Sequence, residues 1–223
     1  YCDLTFITPA SINQCRKSLK EGKSTGRLRL IHPRSIAGLK TLCKLFDSDF
    51  INLSPNGASF EKSCFHRWLA INNATRDLDD EDMVCVLDTD FLIGMPPQAM
   101  LQIAIQKYAL KILDIEILAE WWGNCKIEGV GPEITIIKKR ILNLFCEFLV
   151  CDYYDDSNHR ELKKVCYQLA AKGLDSGAND MTALALFLET NNISRLNMRQ
   201  MGDARFIGNL CNYIEDKQRQ KSD

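Results

Sequence analysis

The sequence has no long apolar run, few histidines and almost no net charge. Each of these properties argues against a class of function. No apolar stretch reaches the roughly 20 residues that a membrane-spanning helix needs, so we expect no integral membrane segment. The three histidines include His66 and His159, and neither has a spacing that indicates a metal ligand. The formal net charge is −1, which favours neither nucleic acid nor an anionic membrane. We therefore expect no nucleic-acid partner.

Cysteine is abundant, yet its spacing excludes the common reasons for abundance. The chain has 10 cysteines and no C-x-x-C pair, and most lie in apolar runs such as MVCVL and LNLFCEFLV. Unpaired cysteine is commonly a small buried hydrophobe, so we expect a reducing compartment, a cytoplasmic location and no disulfide framework. The opening stretch YCDLTFITP is strand-like and predicts no signal peptide. Because it lacks an initiator Met, a trimmed chain and one domain of a longer protein both stay open.

Strands and helices alternate in the first half of the chain. The predicted strands are LTFIT (4–8), RLRLI (27–31), DFINL (49–53) and MVCVLD (83–88), and the predicted helices span residues 11–21, 35–46 and 59–74. Such alternation is typical of an α/β fold with a mainly parallel central sheet flanked by helices. On the last of these helices the expected buried stripe is Phe60, Cys64, Trp68 and Ile71.

The pattern is looser beyond residue 97. KILDIEIL (111–118) fits a strand or a helix, and EWWGNCKIEGVGP (120–132) is loop-like. Helices are predicted for ITIIKKRILNLFCEFLVC (134–151), ELKKVCYQLAAKG (161–173) and NDMTALALFLETN (179–191), the last with Asn179 or Asp180 as its N-cap. No linker divides the chain, so we expect a single domain over residues 1–223.

The stretch VCVLDTDFLIG (84–94) is the clearest chemical signal. Five residues, MVCVL, form a strand that ends at Asp88, and ligands of parallel α/β sheets bind beyond the carboxyl ends of the strands. Side chains two positions apart on extended backbone point the same way, so Asp88 and Asp90 are expected to face one spot while Thr89 turns away. Paired carboxylates favour a cation between them, and Mg²⁺ or Mn²⁺ bound this way commonly also contacts substrate phosphates.

Three phosphate-related chemistries use such a carboxylate pair. PIN-type nucleases have a similar strand, but they place it at the N-terminus, whereas about eighty residues precede it here. Phosphatases of the haloacid-dehalogenase type have Thr or Val two residues beyond the second Asp, and this chain has Leu92 there. A metal-dependent phosphoesterase or PIN-like nuclease therefore stays the alternative to the third chemistry, which is glycosyl transfer.

Four segments in order resemble the GT-A class of nucleotide-sugar glycosyltransferases. They are the helix EKSCFHRWLAI (61–71), the LDTD strand end (87–90), the loop and helix GVGPEITIIKKRILNLFCEF (129–148) and the polar helix start GANDMTALALFLE (177–189). The resemblance implies a Rossmann-like GT-A architecture. It also implies a nucleotide-binding half over about residues 1–95 and an acceptor-side half over about residues 96–223.

The same resemblance implies roles for individual residues. Asp90 would bind the metal directly, and Asp88 would bind it through water or contact the ribose or the sugar. The remaining nucleotide and sugar contacts would be Thr8, Pro9, Lys62, Arg67, Thr89 and Asn179. Arg67 suits phosphate better than Lys62, because its planar fork matches phosphate oxygens. Asp180 would be the general base of an inverting enzyme or would stabilise the oxocarbenium-like centre of a retaining one.

The implied partners follow from this chemistry. The donor would be a nucleotide sugar, with a UDP-sugar favoured, and the cofactor would be Mn²⁺ or Mg²⁺. The acceptor would be a glycan or another hydroxyl compound. Neither the donor sugar, the acceptor, the stereochemical outcome nor the oligomeric state follows from the sequence.

Overall fold

The computed structural model describes residues 4–6, 28–31, 33–87, 102–103, 105–106, 115–121, 130–171 and 178–197. The strands are β1 (Leu4–Phe6), β2 (Leu28–Leu30), β3 (Met83–Leu87), β4 (Ile117–Trp121), β5 (Val130–Lys138) and β6 (Arg195–Asn197). The α-helices are α1 (Leu39–Asp49), α2 (Ala58–Ala74), α3 (Lys139–Cys151), α4 (Asp156–Ala171) and α5 (Asp180–Thr190). A short 3₁₀ helix, Pro33–Ser35, precedes α1.

The described strands form two sheets. β1 and β2 pair in parallel, and the other four strands have the order β3-β5-β4-β6. β5 is antiparallel to both β3 and β4, whereas β4 and β6 are parallel. The α/β class is therefore correct, but the sheet is mixed, and the prediction of a mainly parallel sheet is wrong. The physical reason is that β5 lies between its two partners in the opposite direction, which local sequence patterns do not encode.

Two predicted segments differ from the structure in the type of element that they form. The segment 49–53 is not a strand, because α1 continues to Asp49 and only Leu53 makes an isolated bridge, to Ala178. The segment 134–151 begins as strand: β5 continues to Lys138, and α3 starts at Lys139 with no intervening turn. The β-branched run ITIIK explains the strand, and its direct junction with an apolar helix explains why one long helix was expected. The prediction for residues 11–21 lies outside the described residues.

The predicted helices at 59–74, 161–173 and 179–191 are confirmed as α2, α4 and α5, although α4 starts earlier and its last two predicted positions lie outside the described residues. The buried stripe of α2 is shifted from the expected one: Phe60 is 61% exposed, and the buried residues are Glu61, Phe65, Trp68, Leu69 and Ala70. Because the stripe is shifted, the carboxylate of Glu61 occupies a buried position, which the sequence pattern did not predict.

Aromatic rings from four of the helices and the turn after α3 form much of the core. Trp68 of α2 packs edge-on against Phe145 of α3, with ring centroids 5.4 Å apart, and Phe187 of α5 lies 5.4 Å from Phe145. Phe46 of α1 lies 4.9 Å from the ring of Phe65. Edge-to-face and tilted contacts at these distances are the favourable geometries for aromatic pairs. The helices α1, α2, α3 and α5 are thereby held as one packed layer.

A charged cluster lies at the end of the sheet where β3 begins. We call Lys138, Glu81, Glu116 and Arg140 the Lys138 network. The Lys138 ammonium is 2% exposed and lies 2.8 Å from Glu81 Oε2 and 3.6 Å from Glu116 Oε1. Arg140 contacts both carboxylates, with its Nε 3.1 Å from Glu81 Oε1. Each cation thus faces both anions, as a buried ammonium requires.

No helix within the described ranges is long and apolar enough to cross a bilayer.

Candidate functional site

The strand β3 runs from one end of the sheet to the other. Its first residue, Met83, pairs with Lys138, and its last, Leu87, pairs with Ile134. The Lys138 network therefore lies at one end of β3, and the chain continues to residue 88 from the other end, roughly 13 Å away at the usual rise of a strand. Val84 and Val86 are buried and their neighbours less so, and β3 is a terminal strand of the described order β3-β5-β4-β6.

Several predicted site residues lie outside the described residues. They are Thr8, Pro9, Asp88, Thr89 and Asp90. Their roles in holding the nucleotide and the metal stay predictions. Within the described ranges, no group of three or more histidine, cysteine or acidic residues forms a metal-binding cluster.

The helix α2 ends near the point at which β3 begins. Lys139 contacts the end of α2 through a hydrogen bond of 3.0 Å from its Nζ to Asn72 O, and its backbone N donates to Asp82 O just before β3. The end of α2 and the start of β3 are therefore neighbours. The first residue of α2, Ala58, lies about 21 Å along the helix axis from Asn72. The first half of α2 thus extends away from the Lys138 network.

A buried ion pair joins α2 to the start of α5. Arg67 Nη2 and Trp68 Nε1 both donate to Asp180 Oδ2, each at 2.9 Å. The Asp180 side chain is 4% exposed and that of Arg67 is 26% exposed. The guanidinium carbon of Arg67 also lies 5.8 Å from the centre of the Trp68 ring. Arg67 and Asp180, for which the sequence indicates different tasks, are therefore in direct contact, and a general-base role for Asp180 stays a prediction.

Asn179 is the N-cap of α5, as one of the two sequence alternatives had it. Its Oδ1 accepts a hydrogen bond of 3.1 Å from the Thr182 backbone N and one of 3.2 Å from Thr182 Oγ1. A cap of this kind satisfies helix N–H groups that lack partners within the helix. It also fixes the backbone at Asp180, the first residue of α5. The predicted sugar contact of Asn179 stays a prediction.

The loop before α2 is attached to the residue that precedes this cap. Ala178 N donates to Leu53 O at 3.2 Å. Inside the loop, Asn52 Nδ2 donates to Asn56 O at 2.8 Å, and Asn56 Nδ2 donates to Glu61 Oε1 at 2.7 Å. Side-chain amides that bond nearby backbone groups order such turns. The start of α5 is therefore held by α2 through Arg67 and by the preceding loop through Leu53.

Glu61 is the residue of this region that no sequence pattern indicated. It is 1% exposed, and its Oε2 is buried with no hydrogen-bond donor among the residues that the structure describes. An acidic residue in the first turn of a helix is common, so its position was foreseeable while its burial was not. Burial raises the pKa of Tyr153 well above its ordinary value, and the nearby groups Tyr154, Asp180 and Glu61 contribute to that increase.

Lys62 belongs to a different contact. Its Nζ lies 3.5 Å from Asp47 Oδ1 on α1 and 5.1 Å from the centre of the Phe50 ring. His66 Nε2 lies 3.0 Å from the same Asp47 oxygen. Residues five positions apart do not share one face of a helix, and Lys62 and Arg67 have different neighbours. Lys62 thus contacts α1, whereas Arg67 contacts α5.

The thiols of two cysteines in the helical layer are chemically quiet. Burial raises the pKa of Cys146 to about 12 and that of Cys43 to about 11. The thiolate is the nucleophilic form of cysteine, so almost none is present at neutral pH. Neither cysteine is therefore favoured as a catalytic nucleophile.

Comparison with known proteins identifies a fold and no family. No protein-family model matches the chain, and no curated protein matches it. Its structure is similar to the crystal structure of mouse xyloside xylosyltransferase 1 in the apo form, with a TM-score of 0.53 and 8% sequence identity. The similarity covers 87% of this chain and 71% of that one. At such low identity the similarity shows the fold alone: this chain has a fold similar to that of a glycosyltransferase.

Proposed function

We propose that this protein transfers a sugar from a nucleotide-diphosphate sugar to an acceptor hydroxyl and depends on a divalent metal ion. The observation that carries the proposal is the similarity in fold to a xylosyltransferase over most of the chain. The DTD motif that follows β3 in the sequence also supports it, because paired carboxylates of this kind favour a metal ion that can contact substrate phosphates. Fold alone does not specify function, so the coincidence of the two is what favours glycosyl transfer.

Asp88 and Asp90 would hold Mn²⁺ or Mg²⁺, which supplies charge stabilisation for the departing nucleoside diphosphate. Oxygen ligands of this kind suit both ions. Thr8, Pro9 and Thr89 would contact the nucleotide, and Asn179 would contact the sugar. A UDP-sugar is the favoured donor. These assignments are supported by sequence resemblance.

Arg67 is the favoured phosphate contact of the two cations on α2. Its side chain is 26% exposed, and the guanidinium is suited to bonding phosphate oxygens in pairs. Lys62 is also partly exposed, but its ammonium lies beside Asp47 on α1. The two cations therefore point to different neighbours, and the contacts of Lys62 favour a role in packing α2 on α1.

The proposal is tested by thermal shift with UDP-, GDP- and dTDP-sugars, each with and without Mn²⁺. A ligand that binds the folded state raises the melting temperature. We expect at least one nucleotide sugar to do so only when Mn²⁺ is present. Asp90→Ala should abolish the part of the shift that depends on Mn²⁺.

Asp77→Ala is the matched control, because Asp77 is an exposed aspartate of the loop before β3. It should leave the Mn²⁺-dependent shift unchanged. If no nucleotide sugar shifts the melting temperature, the proposal is wrong. Hydrolysis of a generic phosphate ester or of RNA, without preference for nucleotide sugars, would instead favour the phosphoesterase or nuclease alternative.

A further inference from the structure

We propose that Asp180 is a positioning residue that acts through Arg67: its carboxylate orients the Arg67 guanidinium for the diphosphate of the donor. The inference rests on the proposed function, and it changes the role of Asp180. From the sequence, Asp180 is expected to take a proton or to stabilise a cationic centre. Its contacts in the folded chain favour a task in which it does not touch the reacting atoms.

The Asp180 carboxylate faces the interior. Two donors, Arg67 Nη2 and Trp68 Nε1, occupy the same oxygen, Oδ2. The side chain keeps 4% of its exposure, and the residue is fixed at the first position of α5 by the Asn179 cap. A general base must lie within hydrogen-bond reach of the hydroxyl that it deprotonates. Oδ2 instead bonds two side chains of α2.

Arg67 is the member of the pair that reaches solvent. Its side chain is 26% exposed, and its Nη2 donates to Asp180 Oδ2 at 2.9 Å. The Trp68 ring restrains the same group from another direction. An unrestrained arginine side chain samples many rotamers, and binding to a ligand costs it that entropy. Because Asp180 and Trp68 limit this freedom in advance, less of that entropy is lost when a phosphate binds.

The backbone at the start of α5 is held by contacts other than those with α2. Asn179 caps α5, and Ala178 is bonded to Leu53 in the loop before α2. The position of the Arg67 guanidinium therefore depends on both the α2 helix that carries it and the start of α5. A long-range contact of this kind, between residues 113 positions apart in sequence, makes phosphate recognition sensitive to the packing of α5 on α2.

The test measures binding of UDP, GDP and dTDP in the presence of Mn²⁺, together with the matching free nucleosides, by isothermal titration calorimetry. Asp180→Asn keeps the size of the side chain and an oxygen for Trp68 but removes the charge that pairs with Arg67. We expect it to weaken binding of the preferred nucleoside diphosphate about tenfold, the effect of losing roughly one charge-assisted hydrogen bond. Binding of the nucleoside, which has no phosphate, should be unchanged.

A double-mutant cycle tests whether Asp180 acts through Arg67. Arg67→Ala should weaken diphosphate binding by at least as much as Asp180→Asn, and the double variant should be no weaker than Arg67→Ala alone. Additive losses would show that Asp180 contributes independently of Arg67, and the inference would be wrong. Glu189→Gln, which breaks a surface ion pair between α5 and Arg195, is the control and should change neither ligand.

A second variant covers the case in which Asp180→Asn does not fold. Trp68→Phe keeps the aromatic packing and removes one donor to Asp180 Oδ2, so it leaves the ion pair in place. It should weaken diphosphate binding by about two- to fivefold with no effect on the nucleoside, as expected from the loss of one neutral hydrogen bond. An unchanged diphosphate affinity in this variant, or an equal loss for both ligands, would overturn the positioning role.

Wild-type binding separates the two proposals. If the wild type binds a nucleoside diphosphate and the Asp180 variant binds it equally well, the proposed function survives and the positioning role fails. If the wild type binds none of the three diphosphates, the proposed function is wrong and the positioning role is wrong with it.

Discussion

Two charged clusters of this protein are both built around a buried ion, and they differ in which partner reaches solvent. In the Lys138 network the buried ion is a cation at 2% exposure, and its partner Glu81 is 55% exposed. In the Arg67–Asp180 pair the buried ion is the carboxylate, and the cation is the exposed member. The first therefore presents a carboxylate to solvent beside Lys138, whereas the second presents a guanidinium.

The difference matters for where a diphosphate can bind. A phosphate is repelled by an exposed carboxylate such as Glu81 and attracted by an exposed arginine. The Lys138 network also has a second cation, Arg140, which at 41% is more exposed than Arg67, but both of its cations face the same two carboxylates, Glu81 and Glu116. This arrangement joins the loop before β3, the end of β5 and the segment before β4, which is a structural task. The Arg67–Asp180 pair combines the same structural task with a cation at the surface.

The largest expected effect is on stability, and it comes from the buried carboxylate. Asp180→Ala removes the acceptor of Trp68 Nε1 and the partner of Arg67, and we expect it to destabilise the fold by about 3 kcal/mol. Urea denaturation followed by circular dichroism measures this as a lower midpoint at unchanged slope. Asp47→Ala is the matched control, since Asp47 is about one-third exposed and exposed pairs contribute only about 0–1 kcal/mol. Equal losses in both variants would show that burial of the Asp180 carboxylate makes no difference.

A matched substitution at both clusters should separate binding from stability. Arg67→Met and Lys138→Met each remove a cation and retain a flexible apolar side chain. Since replacing one ion leaves partly exposed carboxylates at the Lys138 network and a buried one at Asp180, we expect a larger loss of stability for Arg67→Met. Only Arg67→Met should also weaken nucleoside-diphosphate binding, by about tenfold or more. Calorimetry with Mn²⁺ measures this difference, and a comparable loss of affinity in Lys138→Met would contradict it.

The smallest expected effect is the acid dependence of the Lys138 network. A hydrogen bond from Lys138 lowers the pKa of Glu81 from its ordinary value of 4.5. Because the folded-state pKa is the lower one, the resulting stability is present above pH 4.5 and is lost as the pH falls through the folded-state pKa. Glu81→Gln should therefore melt below the wild type at pH 7, and this difference should shrink as the pH is lowered from 4.5 through the folded-state pKa. A difference in melting temperature that stays constant over this acid titration would show that Glu81 does not act through its charge.

Local patterns in the sequence predict several elements correctly. The strand at 83–87 and the helices α2, α4 and α5 are confirmed because each combines a periodic apolar pattern with an identifiable boundary. Asn179 illustrates this well, since a polar residue directly before an apolar helix is a common cap. The boundary at Lys138 was missed because strand and helix join there without a glycine or proline.

Nonlocal features were harder to predict. The direction of β5 depends on its partners, and the burial of Glu61 depends on which face of α2 meets the other helices. Arg67 and Asp180 are each candidates from the sequence, but no pattern indicates that they touch. The roles of Asp88 and Asp90 remain predictions because these residues lie outside the described part of the chain.

The α/β class, the apolar strand that leads to the DTD motif and the polar start of α5 follow from local sequence, because they depend on side chains close together in the chain. The mixed sheet and the contact between Arg67 and Asp180 follow only from the folded structure. The reason is that a strand's direction and a buried ion's partner are set by packing between distant segments, where a desolvated charge must find its counter-ion.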